Sequence, residues 1–129
     1  MGTPTMAIIS SSLISAALLA LVSAQVAASA GEISCPHMHQ GTQLTTVMLF
    51  DGPPGERADL EPDSVHESRG ETRSEWDVAY IFKAGRRLFV ECEYGQEANT
   101  VVLEPAPSTY ICEYLARGEK EVSLVCKSR

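Results

Sequence analysis

Trp76-Asp-Val-Ala-Tyr-Ile-Phe-Lys-Ala-Gly85-Arg-Arg-Leu-Phe-Val-Glu-Cys-Glu-Tyr94 is the stretch on which the fold turns. With a chain reversal at Gly85, Trp76 faces Tyr94, Val78 faces Cys92, Tyr80 faces Val90 and Phe82 faces Leu88. All of these are apolar or aromatic, and alternation along a strand puts them on one side of a sheet. The other side carries Asp77, Lys83, Arg87, Glu91 and Glu93, interrupted by Ala79, Ile81 and Phe89. A slip of one residue would turn Trp76, Tyr80 and Val90 to water, so this reading predicts strands over 75–83 and 87–94, paired as the core hairpin.

Further apolar, β-branched runs punctuated by Gly, Pro or charge predict strands over 43–50, 99–104, 109–116 and 121–126. Residues 60–73 read as a polar connection, either loop or short helix, and no segment carries a sustained helical period. The expected architecture is all-β: a small antiparallel β-sandwich or partly open barrel of about six strands. A second hairpin centred on Glu119 sets Cys112 opposite Cys126 and Tyr114 opposite Leu124. Cysteines opposed across adjacent antiparallel strands are close enough to bridge. Cys35 is then left for Cys92, whose side chain points inward in the first hairpin.

These four cysteines, Cys35, Cys92, Cys112 and Cys126, all follow an N-terminal region that reads as a leader. Residues 1–30 hold no Lys, Arg, Asp, Glu or His, and an apolar run closes on Ala28-Ser29-Ala30. That is how a signal peptide and its cleavage site read, although the positive n-region is missing and an uncleaved anchor is the rival reading. Residues 31–129 form the expected exported domain, periplasmic or secreted. An even cysteine count in a small exported chain reads as two disulfides, and the spacing lacks the CxxC pairs of a zinc site.

Ten Lys and Arg against seventeen Asp and Glu give a net charge of −7, which disfavours nucleic acid and anionic membrane and suits a cationic protein partner. Five of the carboxylates sit in Phe50-Asp-Gly-Pro-Pro-Gly-Glu-Arg-Ala-Asp-Leu-Glu-Pro-Asp63. Its prolines and glycines are turn formers, and Asp51 and Asp59 are suited to capping backbone N–H groups. The spacing is not that of an EF-hand, and a glycosidase needs two acids across a deep cleft. Besides an architectural turn, the remaining reading is a docking loop whose contacts are Asp51, Glu56, Arg57, Asp59, Glu61 and Asp63.

The mature chain resembles a family of small exported bacterial proteins named after a Salmonella locus. The resemblance rests on Cys35-Pro36, Phe50-Asp-Gly-Pro-Pro54 with Ala58-Asp-Leu-x-Pro-Asp63, Trp76, Val90-x-Cys-x-Tyr94, Cys112 and Cys126. It implies export and a compact disulfide-bonded β domain, and carries no activity or catalytic residue with it. In size and charge the chain is also similar to bacterial lysozyme inhibitors, without a shared motif.

Cys35-Pro-His37-Met38-His39 brings ligand types suited to copper into five residues, so a periplasmic metal-handling role through His37, Met38 and His39 is the alternative. His66 reads as an inert loop residue. No G-x-S-x-G, P-loop or HExxH occurs, and paired cysteines offer no thiolate. The sequence therefore points to a non-enzymatic binding or inhibitor module without a cofactor, presenting the acidic loop to a protein partner. A purely structural envelope role is the remaining alternative.

Overall fold

The computed structural model describes residues 2–4, 31–118 and 120–129. The leader expected over residues 1–30, apart from 2–4, and Glu119 lie outside the described residues. Ten strands follow one another as β1 (Glu32–Ser34), β2 (Met38–His39), β3 (Thr42–Gln43), β4 (Thr46–Asp51), β5 (Ser64–Ser68), β6 (Glu71–Asp77), β7 (Leu88–Glu93), β8 (Thr100–Leu103), β9 (Thr109–Arg117) and β10 (Glu121–Ser128). Among the described residues one short α-helix, α1 (Ala79–Lys83), lies between β6 and β7.

A five-stranded sheet runs in the order β1-β10-β9-β6-β5, and a three-stranded sheet in the order β4-β7-β8. β2 and β3 form a two-stranded flap. Every pairing is antiparallel, and the sheets form an open sandwich without closing into a barrel. The core is the layer between them. Trp76, Cys112, Leu124 and Cys126 enter it from the larger sheet, and Leu49, Leu88, Val90 and Cys92 from the smaller. Alternation along each strand puts these side chains on one face and the charged ones on the other.

The hairpin at the chain's C-terminal end follows its expected register, with Cys112 opposite Cys126 and Tyr114 opposite Leu124. Both disulfides form, Cys112–Cys126 within the larger sheet and Cys35–Cys92 between the N-terminal segment and the smaller sheet. No described cysteine is free. Closing chain loops of 14 and 57 residues, these bridges restrict the unfolded chain by about 3 and 4 kcal/mol respectively.

The reading of residues 76–94 as one hairpin is corrected by the structure. β6 pairs with β5 and β9, β7 pairs with β4 and β8, and the two belong to different sheets. Between them the chain leaves β6 at Asp77 and turns through α1, which carries it from one layer to the other. The reason lies in Ile81. A strand would have turned it to water with Ala79, whereas one helical turn brings Val78 and Ile81 onto the same side, and both are fully buried. Gly85 is a turn residue, with φ +73, but it closes the helix, donating its N–H to the Phe82 carbonyl. Cys92 still points inward, because its strand alternates in the same phase beside β4.

Residues 60–73 are likewise neither loop nor helix throughout: they contain β5, a turn at Arg69-Gly70 and the start of β6. This hairpin edges the sheet and is exposed along nearly all of β5, so it shows no apolar alternation to be read.

A candidate partner-binding surface

The acidic segment 51–63 is held at both ends and in the middle. At its start, Arg86 Nε donates to Asp51 Oδ1 at 2.6 Å and Arg86 Nη2 to the Asp51 carbonyl at 3.1 Å. The Gly52 N–H reaches the Arg87 carbonyl at 2.8 Å. Gly52 has φ +104, and a Cβ there would come within 2.7 Å of the Glu56 carboxylate. The backbone conformation therefore calls for glycine, whereas the Glu56 carboxylate, at the tip of an exposed side chain, is free to move aside. Pro54–Glu56 make one 3₁₀ turn, after which Arg57 takes the left-handed conformation at φ 54.

The segment then returns along the outer edge of β4. Asp59 bridges to Phe50, the Asp51 N–H donates to Ala58 O, and the Leu60 N–H donates to Leu49 O. Trp76 Nε1 donates to the Leu60 carbonyl at 3.0 Å, tying the segment to the core. At the far end Asp63 Oδ2 accepts the Asp77 N–H at 2.7 Å. The backbone is thus architectural, as turn chemistry suggested, while Glu56, Arg57, Asp59, Glu61 and Asp63 remain exposed. Asp51 is the exception among the anticipated contacts: it is half-buried, and Arg86 occupies its carboxylate.

Tyr80 stands beside this segment, and sequence reasoning missed it. Placed by alternation in the core opposite Val90, its side chain is instead 55% exposed on α1. Burial of part of the ring pushes its phenol above the ordinary value, and the carboxylates of Asp51 and Asp63 push it further. The signal was the apolar interruption at Ala79 and Ile81 on the supposed wet face: burying Ile81 through a helical turn necessarily turns Tyr80 outward. An exposed tyrosine with carboxylates around it combines a rigid apolar body, a hydrogen-bonding tip and a negative field.

The outer face of the smaller sheet adjoins this region. Met48 and Val102, 40% and 51% exposed, flank Glu91 in one row across β4, β7 and β8. Arg87 pairs with Glu104 through two hydrogen bonds of 2.5 and 2.7 Å and lies 5.0 Å from the Phe89 ring centre. The same pair raises the Arg87 value, and the Arg87 hydrogen bond lowers that of Glu104.

The Cys35–His39 segment is arranged otherwise. Cys35 is bridged to Cys92, and His39 Nδ1 lies 2.6 Å from Asn99 Oδ1. The His39 ring sits 5.3 Å from that of Tyr94, whose hydroxyl donates to the Pro36 carbonyl at 2.6 Å. His37 and exposed Met38 border an open cleft of about 370 Å³ with Leu44 and Val122. Among the described residues no three His, Cys, Asp or Glu side chains converge as a metal site would require. His66 lies on β5 with its side chain exposed.

A family model described as type VI secretion system Tli immunity protein matches residues 38–127. The matched region includes the acidic segment, Tyr80 and both sheets except β1. No curated protein matches the chain, and no solved structure does.

Proposed function

This chain belongs to the family of type VI secretion system Tli immunity proteins, and we propose on that premise that it binds and silences an effector protein. The inhibition is stoichiometric and needs no chemistry from this chain. Two disulfides suit an oxidising compartment, so the site of action is the periplasm, reached through the leader at residues 1–30.

The docking surface is the 51–63 segment together with Tyr80. One observation carries this reading: a backbone held by hydrogen bonds along its length still leaves Glu56, Asp59 and Glu61 exposed, and its two end carboxylates, Asp51 and Asp63, act on the half-open ring of Tyr80. A preorganised loop loses little freedom on binding, and aromatic anchors with a charged rim are the usual make-up of an interface centre. The partner surface is accordingly cationic, drawn in by a domain of net charge −7.

The test is protection. Each type VI effector of the same genome is directed to the periplasm of a susceptible strain, with and without this chain. Survival with one effector, and a one-to-one complex of the purified pair, support the reading. Survival with none, in cells that contain the folded chain in the periplasm, refutes it.

A further inference from the structure

We propose that two copies of this chain pair edge to edge along β5, antiparallel about His66, joining their larger sheets into one continuous sheet. The pairing is argued without the effector reading, and it shares one residue, Asp63, with the end of the docking segment.

A sheet edge offers backbone donors and acceptors to any strand that reaches it, and folded proteins usually shield such edges. Of the four edges of the two larger sheets, three are shielded or short. The segment Ala58–Leu60 covers β4 through its bridge and two hydrogen bonds. β1 has three residues. β8 has four and runs into the Arg87–Glu104 pair and Pro105. β5 differs: five residues, Ser64–Ser68, carry neither proline nor lysine and pair with β6 without a bulge. Val65, His66, Glu67 and Ser68 are all exposed, so neither face of the strand is obstructed.

The charges select a second copy as the occupant. Two identical strands related by a two-fold axis normal to the sheet keep each side chain on its own face. Opposed residues must therefore be an even number of positions apart. Centring on His66 sets Asp63 against Arg69, Ser64 against Ser68 and Val65 against Glu67. Both Asp63–Arg69 pairs join opposite charges, and each Val65 comes under the stem of a Glu67. Centring on Val65 instead opposes Asp63 to Glu67, and centring on Glu67 opposes it to itself; both set carboxylate against carboxylate, which destabilises. The groups needed are available. Arg69 is exposed and enters no ion pair among the described residues. Asp63 gives only Oδ2 to the Asp77 N–H, leaving Oδ1.

Sedimentation of the purified protein as a function of concentration tests this directly. The expected result is a reversible dimer in the micromolar-to-millimolar range. Arg69→Asp turns two attractive pairs into repulsive ones and should weaken the dimer about tenfold or more. Asp63→Arg should do the same. An equimolar mixture of the two variants should then pair, because arginine on one strand meets aspartate on the other at both ends. Register is read separately by crosslinking, since no described cysteine is free in the parent. Exposed His66→Cys should give a disulfide dimer on mild oxidation, while Val65→Cys and Glu67→Cys should not. A parent that stays monomeric at its solubility limit overturns the proposal. So does a dimer indifferent to Arg69→Asp, or efficient crosslinking through position 65 or 67 in place of 66.

Discussion

Replacing Trp76 with alanine probes the link between the core and the acidic segment. The indole is 7% exposed, opposite Cys112 on β9 and beside its disulfide, and its Nε1–H donates to the Leu60 carbonyl at 3.0 Å. Deleting a buried aromatic of this size costs about 3–5 kcal/mol in lost burial and residual cavity. Stranding the Leu60 carbonyl adds about 1 kcal/mol, moderated by its partial access to water. Trp76→Ala should therefore destabilise by about 4–6 kcal/mol, much of the ~5–15 kcal/mol that holds a domain folded. Trp76→Phe separates the two contributions. It keeps an aromatic ring in the core but cannot donate, so about 2 kcal/mol is expected, with the 58–60 return loosened against β4. Urea melts followed by circular dichroism read both values. Fluorescence cannot serve, because Trp76 is the chain's only tryptophan. A loss below about 1 kcal/mol for Trp76→Ala would refute the reasoning, since no fully packed indole is removed so cheaply.

Three further outcomes follow from the same geometry. Asp59→Asn with Glu61→Gln should leave the melt within about 0.5 kcal/mol, because both acids are exposed, yet slow association with the effector, an effect that added salt should reproduce in the parent. Replacing Cys112 and Cys126 together by alanine should cost about 3 kcal/mol in a urea melt, and breaking Cys35–Cys92 should cost more, its loop spanning 57 residues against 14. Tyr80, Tyr94 and Tyr114 hold their phenols above the ordinary value, mainly through burial, so the unfolded chain loses these protons first; stability should be full below pH ~10 and fall as pH rises further, in an alkaline melt series.

The C-terminal hairpin was legible because β9 and β10 are long, and opposed cysteines allow one register. Cys92 points inward in the sequence pattern and in the structure alike, although its strand pairs with β4 and β8 and not with β6, since period-two alternation belongs to a strand whichever neighbour it meets. The errors have two causes. α1 is a single turn of five residues, too short for a helical period, and its apolar residues read equally well as alternating. β5 is exposed on both faces and has no apolar signal; its ladder to β6 is invisible in composition. The same two misreadings concealed Tyr80 and the open edge, where burial and alternation part company. The acidic segment lay between: glycines and prolines announced a turn, but its hydrogen bonds to β4 and to Trp76 depend on distant residues.

The central claim is that this chain captures its effector through the 51–63 segment with Tyr80 as anchor. It is tested most directly by the affinity of the protected effector for the parent and for Tyr80→Ala, measured by calorimetry. The ring is 55% exposed in the free chain, so its truncation should leave the fold intact. A loss of about 2 kcal/mol or more in binding, the mark of a central anchor, is the predicted result. Unchanged affinity for a folded Tyr80→Ala chain would contradict the account and move the interface to another face of the sandwich.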